Sequence, residues 1–125
     1  MGSTGLLQPT PPPTLSQLQR KFTRMVGQFI DWVYQQPGFE LTVGEAYRTP
    51  EQAAIDAQKG SGIAHSLHTD RLAIDFNLFL HGVYQQGTAA YLPLGQKWEA
   101  MGGAWGGRFT RQDGNHFSLE YQGRK

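Results

Sequence analysis

Few residues of this sequence could bind a metal, because it contains four histidines and no cysteine. Thiolate zinc sites, iron–sulfur clusters, disulfides and a cysteine nucleophile are therefore excluded. Any metal site must therefore use histidine, aspartate or glutamate. Two neutral imidazoles and one carboxylate suit zinc, whose catalytic sites keep three protein ligands and leave one position for water.

Three candidate ligands are distant in the sequence, but the predicted strands bring them together. Asp75 lies in the alternating segment 72–79, on the face opposite its apolar residues. His116 opens the alternating segment 116–121, again opposite the apolar residues. His68 precedes Asp75 in the loop that enters the first strand. If both apolar faces enter the core, the three side chains form a three-sided site that suits zinc.

The remaining histidines, His65 and His81, are alternatives to this set. His65 is the main competitor, since it could share a helical turn with His68, although nearby glycines disfavour a helix there. His81 precedes Gly82 and is more typical of a turn. The pattern alone also permits an interpretation without any metal, in which the candidate ligands are ordinary structural residues.

The elements that must position these residues are indicated by periodicity. Apolar residues within 15–33 recur at three- and four-residue spacing, which predicts an amphipathic helix. Alternation predicts a strand over Phe39–Val43, and two shorter helices are predicted over 50–59 and 89–101. Helices and strands mixed without a regular βαβ order indicate an α+β fold with a small, mostly antiparallel sheet and about three helices.

Length and charge limit the remaining function classes. The 125 residues fit one compact domain, predicted over 14–125 after a flexible Pro-rich lead-in at 1–13. A net charge of +1 argues against nucleic acid as a partner. No apolar stretch approaches the ~20 residues of a membrane span. We therefore expect a monomer that binds no nucleic acid and does not insert into membranes.

Five segments together resemble the signature of a zinc peptidase family. This family includes D-alanyl-D-alanine carboxypeptidases, vancomycin-resistance dipeptidases and phage L-alanyl-D-glutamate endopeptidases. Segments 66–68 (SLH), 73–75 (AID) and 113–117 (DGNHF) resemble its S-x-H, A-x-D and acid-x-x-H motifs. Segment 45–52 (EAYRTPEQ) is similar to G-Y-R-[ST]-x-x-x-Q, and 105–109 (WGGRF) to the W-G-G-x-[WF] run of phage endolysins. The resemblance implies the zinc DD-peptidase (hedgehog-like) fold.

The resemblance also implies a role for each site residue. It implies three zinc ligands, namely His68, Asp75 and His116. Asp113 takes the position of the catalytic acid/base, which would accept a proton from water and pass it to the leaving amine. Arg48 takes the position of the arginine that contacts the substrate carbonyl. Ser66 takes the position of a serine that supports substrate or ligand geometry.

The chain departs from the family pattern at several positions. Arg71 and Ala46 stand where glycine is common, so the turn before the second strand is expected to differ. Ser118 stands where an acid or histidine often follows, which puts in doubt the partner that orients a ligand. Two other acids are alternatives to Asp113 as the base: Glu120, which shares a strand face with His116, and Glu45.

The implied function is hydrolysis of a stem-peptide amide bond in peptidoglycan. The run at 105–109 favours an L-alanyl-D-glutamate endopeptidase of phage endolysin type, and a D-alanyl-D-alanine carboxypeptidase is the alternative. Non-enzyme alternatives are an inactive peptidoglycan- or zinc-binding module and a small interaction domain with coincidental histidines. No secretory signal is evident. We therefore expect a phage or prophage enzyme made in the host cytoplasm, released by a separate holin and acting on the periplasmic wall.

Overall fold

Three α-helices and five short strands form the described part of the chain, residues 10–60 and 65–125, in a computed structural model. The helices are α1 (Leu15–Tyr34), α2 (Pro50–Gln58) and α3 (Leu92–Ala100). The strands are β1 (Phe39–Val43), β2 (Ala73–Leu80), β3 (Val83–Tyr84), β4 (Ala104–Trp105) and β5 (His116–Ser118). Three 3₁₀ turns cover Leu67–Asp70, Thr88–Tyr91 and Gly106–Arg108. The predicted α+β class is confirmed.

The strands form one sheet with β2 at its centre, in the order β1-β2-β5-β4, with β3 also paired to β2. Every pairing among the described strands is antiparallel. One half of β2 pairs with β1 and the other half pairs with β5. In the second pairing, Asp75 lies directly opposite His116. Two of the candidate ligands are therefore neighbours across the sheet.

Helix α1 is the long amphipathic helix that the periodicity predicts. It begins with a capping box, in which the Thr14 side chain accepts from Gln17 N–H and the Gln17 side chain accepts from Thr14 N–H. Its buried stripe consists of Phe22, Met25, Phe29 and Val33. Within residues 10–60 and 65–125, no helix combines the length and apolar character needed to cross a membrane.

Aromatic packing places the core on one face of the sheet. The Phe29 ring of α1 lies 5.9 Å from Phe76 of β2 and 5.0 Å from Phe117 of β5, measured between ring centroids. It also meets Trp98 of α3 edge-on at 5.3 Å. Strands β2 and β5 therefore bury one face against α1 and α3, and their opposite face carries the candidate ligands.

The outer edge of the sheet is formed by β1, whose backbone is met by a side chain of α1. The Tyr34 hydroxyl accepts a hydrogen bond from Leu41 N–H at 3.1 Å and donates one to Leu41 O at 3.2 Å. Both backbone groups of Leu41 that point away from β2 are thus satisfied.

Some predicted boundaries differ from the structure. The helix predicted over 89–101 starts as the 3₁₀ turn Thr88–Tyr91, and α3 follows with Pro93 in its first turn, where no N–H is needed. Strand β5 ends at Ser118 rather than at 121, because the chain then enters a tight turn. Most of the lead-in predicted at 1–13, and most of the loop predicted at 60–62, lie outside the described residues.

Candidate metal centre

His68 is positioned by a single 3₁₀ turn, Leu67–Asp70. The buried Ser66 side chain precedes this turn, and its Oγ accepts a hydrogen bond from His68 N–H at 3.2 Å. His65 lies outside this turn, and the turn itself was not predicted, because a four-residue turn needs only a local cap and shows no sequence periodicity. Ser66 thus fixes the backbone that carries His68.

Asp75 connects the two imidazoles of the candidate site. Its Oδ1 lies 3.2 Å from His68 Nε2 and 3.5 Å from His116 Nδ1. One potential ligand atom from each residue falls within 4.8 Å of the others. Both histidines are almost fully buried, at 2% and 6% exposure. The prediction that these three side chains lie together is therefore consistent with the geometry.

The outer nitrogen of each imidazole meets a backbone carbonyl. His68 Nδ1 lies 2.8 Å from Ala46 O, and His116 Nε2 lies 3.3 Å from Lys125 O. A neutral imidazole that donates its one N–H to a carbonyl keeps a lone pair on its other nitrogen. Here that other nitrogen faces Asp75 in both cases.

The surroundings of Asp75 indicate whether these donor atoms suit zinc. Its Oδ1 is buried and has no hydrogen-bond partner among the described residues, despite the two nearby ring nitrogens. Two ring nitrogens and one carboxylate oxygen therefore converge on one space, an arrangement that a cation would satisfy. Two imidazoles, one carboxylate and carbonyls behind the imidazoles form the set that zinc binds in proteins. The residues fit the metal.

The charge state of the metal-free site also favours a cation. Burial alone would raise the pKa of Asp75, but interaction with His116 and His68 outweighs it and lowers that pKa to about 2. Burial likewise acts to lower the pKa of His68, and the interaction with Asp75 reverses this, so the pKa of His68 is raised. Asp75 is therefore ionised at neutral pH.

Asp113 is held at the rim of the site by the glycine-rich 3₁₀ turn Gly106–Arg108. Its N–H donates to Gly106 O at 2.9 Å, and its own carbonyl accepts from His116 N–H at 3.1 Å. A Cβ on Gly106 would lie 2.1 Å from Asp113 O, so glycine is required for this approach. Partial desolvation, followed by the charge of Asp75, raises the pKa of Asp113. A carboxyl with a raised pKa is suited to proton transfer.

Arg48 is attached to the same site through its backbone and its guanidinium. Its N–H donates to His68 O at 3.1 Å. Its Nε donates to Glu45 Oε1 at 3.0 Å, its Nη2 pairs with the same oxygen, and Asp56 lies 3.9 Å away. The hydrogen bond to Glu45 raises the pKa of Arg48. The guanidinium is thus held in one orientation.

A cleft of about 670 Å³ collects the predicted site residues. Its lining includes all six of them, namely Arg48, Ser66, His68, Asp75, Asp113 and His116.

The alternative residues lie less favourably. His65 also lines the cleft, but its side chain is exposed and it lies before the turn that carries His68. His81 lies in the turn that the sequence predicts, with φ of 50°. Glu120 is exposed and lies 4.0 Å from Lys125 Nζ.

The departures from the family pattern have structural counterparts. Arg71 has φ of 57°, which explains why glycine is common there, and its guanidinium stacks 4.0 Å from the Tyr47 ring centroid. Ser118 is fully buried, with Oγ 3.5 Å from Ala104 O. The main-chain oxygen of Lys125 therefore takes the orienting position in which an acid or histidine was expected. Sequence reasoning missed this acceptor, since a backbone carbonyl has no side-chain signature.

Comparisons with known proteins agree with this geometry. Residues 59–119 match a family model described as D-alanyl-D-alanine carboxypeptidase. The predicted family resemblance is confirmed. The matched segment contains His68, Asp75, Asp113 and His116, whereas Arg48 lies before it. The family match and the His-Asp-His group together support a peptidase that acts on peptidoglycan.

A solved structure shares the fold. The crystal structure of Serratia marcescens L-Ala D-Glu endopeptidase ChiX superposes with a TM-score of 0.67 and 21% sequence identity. The superposition covers 86% of this chain and 84% of that chain. A comparison with curated proteins gives no significant match. The predicted zinc DD-peptidase type of fold is therefore confirmed.

Proposed function

We propose that the chain is a zinc-dependent peptidase that hydrolyses a stem-peptide amide bond of peptidoglycan. The observation that carries the proposal is the convergence of Asp75 and two imidazoles, with Asp113 and Arg48 lining the same cleft. Zinc, when held by His68, Asp75 and His116, would supply a Lewis acid and lower the pKa of water in the site.

Asp113 acts as the acid/base in this proposal. Its carboxylate accepts a proton from the attacking water and then transfers that proton to the leaving amine. Its raised pKa supports both roles, because such a carboxylate accepts a proton more readily than an ordinary aspartate does. Its backbone contacts with Gly106 and His116 keep it near the ligands without making it one of them.

Arg48 binds the substrate carbonyl and stabilises the negative charge that develops on its oxygen. Glu45 holds the guanidinium through Nε and Nη2, which reduces the reorientation required when substrate binds. Ser66 supports the geometry of His68 through the hydrogen bond to its backbone. The carboxylate of Glu45 is engaged by this arginine, which supports Asp113 rather than Glu45 as the base.

We propose cleavage between L-alanine and D-glutamate, in the manner of a phage endolysin. The run WGGRF at 105–109 supports this specificity, and so does the fold shared with the L-Ala D-Glu endopeptidase ChiX. The buried Trp105 of that run donates from Nε1 to Gly114 O at 2.7 Å and so anchors the loop that carries Asp113. Terminal D-alanine removal is the second candidate, favoured by the description of the matched family.

We further propose residues 14–125 as a single peptidase domain, made in a bacterial host and acting on the periplasmic cell wall. The substrate partner is the peptidoglycan stem peptide. Release by a separate holin and a monomeric state belong to the same proposal, which rests on the endolysin-like run at 105–109.

Defined muropeptides with tetrapeptide and pentapeptide stems test the proposal. The purified protein is stripped of metal, reloaded with zinc or left in chelator, and its products are identified by mass. We expect separate L-alanine-bearing and D-glutamate-bearing fragments with zinc and none with chelator. Loss of one D-alanine from the pentapeptide alone would identify the carboxypeptidase. Stoichiometric zinc without cleavage of either stem would contradict both activities and favour a binding module.

A further inference from the structure

The last five residues fold back onto the candidate metal centre. Tyr121 and Arg124 exchange two backbone hydrogen bonds of 3.0 and 2.9 Å, which close a turn around Gln122 and Gly123. Both residues of this turn have positive φ, at 50° and 74°. The turn directs Lys125 O to within 3.3 Å of His116 Nε2.

Arg124 ties this segment to the other side of the cleft. Its Nη2 lies 2.7 Å from Asp70 Oδ2, and its Nη1 donates to His65 O at 2.8 Å. Asp70 belongs to the 3₁₀ turn that carries His68. One guanidinium therefore connects the backbone around His68 with the segment that contacts His116.

This connection is stronger than an ordinary surface contact. The side chains of Arg124 and Asp70 are only 29% and 22% exposed, and the guanidinium forms this ion pair while it also donates a hydrogen bond to His65 O. In contrast, Lys125 Nζ and Glu120 lie 4.0 Å apart with more than half of each side chain exposed. An exposed ion pair of this kind contributes little to the stability of the folded protein. Arg124 is therefore the group that keeps the Lys125 carbonyl in place.

We propose that Arg124 is a positioning residue for His116, and this inference rests on the proposed metal site. By holding the 121–125 segment against the His68 turn, Arg124 keeps Lys125 O at His116 Nε2. When Nδ1 of His116 binds zinc, the imidazole proton would then stay on Nε2 and donate to Lys125 O. His68 is oriented separately by Ala46 O, so loss of Arg124 affects one of the two imidazoles.

The exchange of the outer ring proton of each histidine in the zinc-loaded protein is the direct readout. Long-range ¹H–¹⁵N correlation spectra distinguish protonated from unprotonated ring nitrogens, and with zinc bound we expect the proton of His68 on Nδ1 and that of His116 on Nε2. In the unsubstituted protein both protons should exchange slowly with water, because each faces a main-chain oxygen. Arg124→Ala should make the His116 proton exchange fast and leave the His68 proton unchanged.

Zinc affinity, measured by calorimetry, is the second readout. Groups that orient metal ligands typically change affinity by about 10- to 100-fold, and we expect about tenfold weaker binding for Arg124→Ala. Arg124→Lys keeps the charge and should restore part of both effects. Asp70→Asn breaks the same ion pair from the other side and should act in the same direction. Arg20→Ala is the matched control, because Arg20 lies exposed on α1, where its Nε donates to Ser16 O at 3.2 Å.

Two results would overturn the inference. One is unchanged exchange of the His116 ring proton and unchanged zinc affinity in Arg124→Ala. The other is an equal disturbance of both histidines, which would indicate a general loss of structure. If Arg124→Ala does not fold, Arg124→Lys and Asp70→Asn provide the same comparison. Should the unsubstituted protein bind no zinc, the proposed metal site and this inference both fail, whereas normal zinc binding with no effect of Arg124→Ala overturns the inference alone.

Discussion

At the scale of single residues, the two imidazoles of the candidate metal centre differ in the nitrogen that each turns toward Asp75. His68 presents Nε2 and His116 presents Nδ1. The difference follows from the main-chain oxygen behind each ring, which is that of Ala46 for His68 and that of Lys125 for His116. Asp75 supplies the one negative charge of the cluster, and its pKa of about 2 keeps that charge at every pH at which the protein would work.

Asp75→Asn removes the charge while keeping the shape of the side chain. We expect zinc affinity to fall by more than the about 100-fold that loss of an orienting group causes, because a direct ligand is lost. Calorimetric titration with zinc measures the effect. Asp31→Asn, on the exposed face of α1, is the control and should bind zinc normally. Zinc binding by Asp75→Asn at the unsubstituted affinity would contradict the ligand assignment.

Asp113→Asn separates proton transfer from metal binding. We expect zinc affinity within a few fold of the unsubstituted protein and a loss of about 10²–10⁴ in turnover, the range that general acid–base catalysis contributes. Muropeptide hydrolysis followed by mass measures turnover, and calorimetry measures the metal. Glu120→Gln tests the competing base. Normal turnover in Asp113→Asn together with its loss in Glu120→Gln would exchange the two roles.

The sequence could predict individual side chains better than their partners. His68, Asp75 and His116 have residue types and strand positions that indicate ligands. Their outer partners are backbone carbonyls of Ala46 and Lys125, which any residue type could supply. The ion pair between Glu45 and Arg48 is easier to predict from the sequence, because the two residues carry opposite charges and are three positions apart.

At the scale of elements, the register of β2 against β5 brings Asp75 and His116 together. The 3₁₀ turn that precedes β2 adds His68. Alternation along each strand predicted the side of the sheet correctly, because a period of two places every second residue on one face. The 3₁₀ turn Leu67–Asp70 could not be predicted in this way, because four residues contain too little of any period. The turn at 121–124 could not be predicted for the same reason, and β5 is shorter than predicted.

Gly106→Ala tests the close packing between the 3₁₀ turn Gly106–Arg108 and the Asp113 loop. The added Cβ would lie 2.1 Å from Asp113 O and 2.8 Å from His116 Cβ, so one of the two segments must move. We expect a loss of about 1–3 kcal/mol in the free energy of unfolding, as for other overpacked sites. Urea denaturation measures it.

Gly27→Ala is the matched control for that substitution. Gly27 lies within α1, and nothing stands within 4 Å of an added Cβ. Alanine favours the helix over glycine, so we expect the free energy of unfolding to rise by about 0.5–1 kcal/mol. If both substitutions changed stability equally, the crowding at Gly106 would not be the cause.

At the scale of the whole molecule, β2 and β5 carry the core on one face and the candidate metal centre on the other. Phe76 and Phe117 pack against Phe29, and the adjacent residues Asp75 and His116 point into the cleft. The ligands therefore reach their positions only when the core is assembled. Metal binding and folding are expected to be coupled, since the unfolded chain offers no preformed site.

Zinc should accordingly raise the thermal stability of the whole domain. A ligand at 100 times its Kd stabilises the folded state by ~2.7 kcal/mol, which corresponds to about 10 °C in Tm for a domain of this size. Calorimetric unfolding with zinc and with chelator measures the difference. Asp75→Asn should show almost none of this shift. An identical Tm with and without zinc would argue against the site.

The contact between Tyr34 and the edge of the sheet has a consequence for self-association. An uncovered edge strand offers its backbone as a template on which other chains can grow by strand addition. Here the Tyr34 hydroxyl already occupies both outward groups of Leu41, in the middle of β1. Any added strand must first displace the end of α1. The cap at Thr14, by keeping that helix folded, thus contributes to the protein's resistance to aggregation in concentrated solution.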